Sequence, residues 1–171
     1  MKIKALVAVF VLLSLLAGCK KTAQSHSTVL TSISFSADIN YYNENYSADC
    51  VIDKDGILTA VVTKPENLSG LKFKFTGEKC EVNFGDLNVS DESVYMPQNS
   101  VISTMNKIFV ECRNVTPKDS KQNFKIKGKC DGKKYTLTVS PSGLPISLDI
   151  PDLGLQVEFN NVSLIDSNAG G

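Results

Sequence analysis

From Ile33 onward, apolar and polar side chains alternate with a period of two, segment after segment. That periodicity restricts the chain to an antiparallel sheet with one buried and one wetted face. Ile33, Phe35, Ala37 and Ile39 interleave with Ser34, Ser36 and Asp38. After an Asn-rich turn at 43–45, Tyr46, Ala48, Cys50 and Ile52 keep the phase. Asp53-Lys54-Asp55-Gly56 closes a hairpin onto Ile57–Thr63. It has the opening of a calcium loop but neither the further ligands nor the closing Glu, so it reads as a turn. Leu71, Phe73 and Phe75 alternate with Lys72 and Lys74, and after the turn at 76–79 Cys80, Val82 and Phe84 return. Gly85-Asp86 turns again into Leu87–Ser90.

The period changes once. Val101, Ile102, Met105, Ile108, Phe109 and Cys112 fall on one stripe of an amphipathic helix, with Asn99 or Ser100 as its cap and Asn114 and Pro117 beyond its end. Strands resume with Phe124, Ile126 and Cys130 opposite Lys125, Lys127 and Lys129. Asp131-Gly132 is a strong hairpin turn. Tyr135, Leu137 and Val139 follow, then Leu144, Ile146, Leu148 and Ile150, then Leu155, Val157 and Phe159. The expectation is a mainly β (α+β) domain: about ten antiparallel strands, with the helix between the sixth and seventh. A sheet of that size curls to hide its apolar face, as an unclosed barrel covered by the helix.

Ahead of this domain lie Lys2 and Lys4, then an apolar run from Ala5 to Leu16. A basic start, a short apolar core and small residues describe a secretory signal, and the run falls short of the roughly 20 residues a spanning helix needs. It ends on Leu16-Ala17-Gly18-Cys19, which resembles the bacterial lipobox. The resemblance implies cleavage between Gly18 and Cys19 and a diacylglyceryl group on the Cys19 thiol. The organisation expected is signal 1–18, polar tether 19–30, β domain 31–165 and a polar tail 166–171. The protein is then held by acyl chains at the extracytoplasmic face of a membrane, or at the outer membrane of a cell with two. Its partner is the membrane itself.

Taking residues 1–18 from the 171 leaves 153, the size of one domain that folds without metal or disulfide. The chain has 18 basic and 18 acidic residues; losing Lys2 and Lys4 leaves 16 against 18, a net of −2. That balance argues against nucleic-acid binding, which needs a strongly basic face. Cys50, Cys80, Cys112 and Cys130 fall in phase with apolar neighbours. Outside the cytoplasm they permit two disulfides in three connectivities; the alternative is free cysteines packed as small hydrophobes. No Cys-x-x-Cys occurs and the one His, His26, is in the tether, so no metal or cofactor is implied.

Three stretches together resemble a family. Pro65-Glu66-Asn67-Leu68-Ser69-Gly70-Leu71 leads into Phe73-x-Phe75-x-Gly77; Met96-Pro97-Gln98-Asn99-Ser100 opens the helix; and Ser142-Gly143-Leu144-Pro145-Ile146-Ser147-Leu148 leads to Gly154-Leu155-x-Val157-x-Phe159. These are similar to small bacterial lipoproteins with the LolA/LolB-like (lipoprotein localisation factor-like) fold, over roughly residues 31–165. The resemblance implies an unclosed barrel whose hollow can hold acyl chains. The single arginine, Arg113, lies at the helix end and there is no Trp, so no binding residue is carried over.

On this reading the protein is a non-catalytic binding or carrier lipoprotein for a lipid or other apolar ligand. Its candidate lining residues are Phe35, Leu71, Phe73, Phe75, Phe84, Met105, Phe109 and Leu148; packing of the same residues on the helix is the competing account. The alternative function is a surface or sensory lipoprotein working through a protein partner. Lys125, Lys127 and Lys129, extended by Lys133 and Lys134, would meet acidic groups, or would simply guard an edge strand. An enzyme lacks support: no His in the domain can activate a Ser or Cys, and no glycine loop precedes the helix.

Overall fold

The computed structural model describes residues 32–76, 79–92, 100–113, 115 and 122–165. The signal, Cys19 and tether, residues 93–99 with Met96-Pro97, Asn114 and Pro117 at the helix end, and the tail 166–171 lie outside the described residues.

Ten strands form one antiparallel sheet. They are β1 (Ile33–Tyr41), β2 (Glu44–Ile52), β3 (Leu58–Lys64), β4 (Lys72–Phe75), β5 (Lys79–Phe84), β6 (Leu87–Glu92), β7 (Phe124–Cys130), β8 (Lys133–Val139), β9 (Pro145–Ile150) and β10 (Leu155–Leu164). One helix, α1 (Val101–Cys112), stands between β6 and β7. The spatial order is β6-β5-β4-β3-β2-β1-β10-β9-β8-β7. Each wing is a meander, and the first and last strands join the wings at the centre, with Ala37 opposite Phe159 and Ile39 opposite Val157. The sheet is not closed: β6 and β7 are its edges.

Helix α1 touches both β4 and β7, strands far apart in the sheet order. The sheet therefore curls around it. Phe35, Phe109 and Phe159 form the knot of the core, with ring centroids 5.7 Å apart for Phe35–Phe109, 5.2 Å for Phe35–Phe159 and 5.5 Å for Phe109–Phe159. Met105 and Ile108 beside them are fully buried. Lys107 Nζ donates to Asp131 Oδ2 at 2.7 Å and ties the helix to the β7–β8 turn. Arg113 lays its guanidinium over Gly56 of the β2–β3 turn, in the space a Cβ would occupy.

The turns follow their residues. Asp131 and Gly132 both have positive φ (48° and 81°), as a two-residue hairpin with matching twist requires. Asp53 Oδ1 accepts from the amides of Asp55 and Ile57, which fixes that carboxylate as a turn brace rather than a cation ligand. One departure from the alternation falls in β9. A register shift skips Ile146, so Pro145 pairs with Val139 and is buried while Ile146 is left half-buried, because the extra residue moves the preceding one to the other phase.

Candidate functional site

The interior is filled where the sequence suggested a lining. Phe35, Phe75, Met105, Phe109 and Leu148 are all within 3% of complete burial and belong to one continuous core. All five belong to that packed core, and none of them borders the open groove described below. Phe35, Phe75 and Leu148 face the concavity that α1 occupies, and Met105 and Phe109 are carried by α1 itself. Phe84 differs in the opposite sense: it is 40% exposed, near the tip of the β5–β6 hairpin, and borders no part of the groove.

Leu71 and Phe73 remain. Both are half-buried, and both line an open groove of ≈ 190 Å³ beside the N-terminal end of α1. One wall is Ile39, Tyr41, Tyr46 and Ala48 from the β1–β2 hairpin. The opposite wall is Val62, Leu68 and Leu71, where the β3–β4 connection folds back; Gly70 N–H donates to Val62 C=O and Val62 N–H to Leu71 C=O. Val101 and Ile102 of α1 close the inner end. Ser47 and Ser100 also border the groove, but the Ser47 hydroxyl is committed to Asp38 on the outer face of the sheet. The signal for this wall was in the sequence: the Leu68 and Leu71 of the family-like run, and the in-phase Ile39 and Tyr46. Pattern alone did not say that the hollow stays open here and is filled elsewhere.

The four domain cysteines are free and buried, packed among apolar neighbours. Burial pushes every one of the four thiols above the usual value, away from the reactive thiolate. Cys112 Sγ lies 3.5 Å from Tyr135 Oη inside the core. Among the described residues no three His, Cys, Asp or Glu side chains converge as a metal set. Lys125, Lys127 and Lys129 are exposed on β7, an edge strand, where their charge blocks pairing with another chain.

The site and fold define a class: an uncapped antiparallel sheet wrapped on a helix, with an apolar groove left open at one end of the helix. No protein-family model matches the chain, and no curated protein matches it significantly. Solved structures do. The chain is similar to an uncharacterized conserved protein from Thermus thermophilus, with a TM-score of 0.49 and 10% identity, over 80% of each chain. It is also similar to a LolA superfamily protein from Nitrosomonas europaea, with a TM-score of 0.43 and 9% identity, over 83% of this chain and 90% of that one.

Proposed function

We propose that the protein is a non-catalytic envelope lipoprotein, anchored through Cys19, that holds the end of an acyl chain or a similar apolar group in the groove between Leu71 and Val101. The observation that carries this is a groove with aliphatic and aromatic walls that opens to solvent in a domain whose core is otherwise filled. Open apolar concavities of this kind mark ligand sites. Size selects the ligand. An aliphatic cavity of about 150 Å³ takes benzene, and drug-sized ligands need about 300 Å³ or more. A groove of ≈ 190 Å³ suits part of a chain rather than a whole lipid. The Ser100 hydroxyl would meet a polar end.

Native mass spectrometry after mild extraction tests the reading, together with titration by a fluorescent polyene fatty acid. Bound lipid or saturable fluorescence is expected. Leu71→Glu places a carboxylate on the groove wall and should weaken uptake about tenfold or more, since an unpaired charge there disfavours an apolar guest. No bound lipid, no saturation, or indifference to Leu71→Glu would each overturn carriage.

Anchoring has its own test. One acyl chain binds membranes marginally and two bind stably. Cys19→Ala should therefore move the protein from the membrane fraction to the soluble one. A variant that stays with the membrane removes the lipobox reading.

A further inference from the structure

The outer face of the central strands differs from the outer face of both wings. β4 turns Lys72 and Lys74 outward, and β7 turns out Lys125, Lys127 and Lys129. β1 and β2 instead present short side chains without a cation: Ser34, Ser36, Asp38 and Asn40, facing Asn45, Ser47 and Asp49. These are locked together across the strands. Ser36 Oγ donates to Asp49 Oδ1 at 2.9 Å, Ser47 Oγ to Asp38 Oδ1 at 2.8 Å, and Asn40 Nδ2 to Asn45 Oδ1 at 2.9 Å. From β10, Asn160 Nδ2 donates to Asp38 Oδ2 at 2.9 Å.

Because the side chains are short, the face is hollow. Two shallow depressions follow one another along β1. One, of ≈ 380 Å³, is bordered by Asp38, Asn40, Ser47, Lys64 and Glu158. The other, of ≈ 370 Å³, is bordered by Ser36, Asp49, Val51, Thr59 and Val61. Nine residues of strand at about 3.3 Å each give a track of roughly 30 Å.

We propose that this trough binds a linear neutral glycan. Its length suits a polymer. Each Asp38 oxygen uses one lone pair on its neighbour and keeps another for a ligand hydroxyl, and the amides of Asn40 and Asn45 offer both donors and acceptors. Their mutual hydrogen bonds fix the rotamers beforehand, which lowers the entropic cost of binding. Val51 and Val61 provide apolar surface for the C–H face of a sugar ring. Three carboxylates and one lysine border the two depressions, a balance that repels phosphate and uronate polymers. By strand phase the trough lies on the opposite face of β1 and β2 from the apolar groove, although Ile39, Tyr46 and Ser47 border both.

The test uses the full chain in detergent, titrated calorimetrically with cellohexaose, N-acetylchitohexaose and maltohexaose, with a hexuronate as anionic control. Saturable binding of at least one neutral hexasaccharide is expected, with amide shifts confined to β1, β2 and β10. The Ser36→Lys/Ser47→Lys pair should weaken it about tenfold or more, with an unchanged urea midpoint, while Leu71→Glu leaves it intact. Silence with all three sugars, shifts elsewhere, equal binding of the hexuronate, or binding indifferent to the trough variants would overturn the proposal.

Discussion

Phe109→Ala is expected to remove about 3–5 kcal/mol of folding stability, a large share of what a domain of this size has. Phe109 is 2% exposed and meets Phe35 of β1 and Phe159 of β10 within 5.7 Å, so it pins α1 to the two strands that join the wings. A helix of 12 residues is marginal by itself and depends on that packing. Truncation leaves a void that a curled sheet cannot collapse to fill, and the cavity adds to the lost transfer energy. Phe84→Ala is the control. Its ring is 40% exposed and the change should stay within about 0.5 kcal/mol. Urea unfolding of both variants gives the comparison. Equal losses would show that α1 does not organise the core.

The same helix explains what could and could not be read in advance. Strand and helix identity are local: alternation over Ile33–Ile39 or Tyr135–Val139 reports one buried face, and the switch at Val101 reports a helix that does run Val101–Cys112. Which inward residues touch a ligand is not local. Phe73 and Phe75 share one strand and one phase, yet Phe75 is sealed and Phe73 looks into the groove. The difference is where α1 crosses above β4, and no periodicity encodes that. The pairing of β1 with β10 is equally hidden, since it joins residues such as Asp38 and Asn160 that lie 122 positions apart. The β9 bulge escaped for a related reason: Ile146 and Leu148 fit an alternation that a register shift interrupts between them. The cysteines fit either account by phase, and only their positions in space separate a packed thiol from a bridged one.

Those thiols give the domain a marked sensitivity to alkali. Cys50, 1% exposed and opposite Phe35, is pushed by burial, and secondarily by Asp49, from the usual 9.0 up to about 12. In the unfolded chain it ionises near 9. Between pH 9 and about 12 the unfolded state therefore holds fewer protons than the native one, and unfolding becomes easier as pH rises. The contribution is complete below pH 9 and is lost through that window; the gap corresponds to roughly 4 kcal/mol from this one group. Cys80, Cys112, Cys130 and Tyr135 shift in the same direction, burial first in each case, so their losses reinforce it. Cys50→Ala removes the largest of the thiol steps. Its stability, followed by urea unfolding from pH 8 to about pH 11, should begin somewhat lower than the parent's and fall less steeply. Parallel curves for the two proteins would mean that this thiol is wetted, and that the sheet beneath Phe35 is open where the structure has it closed.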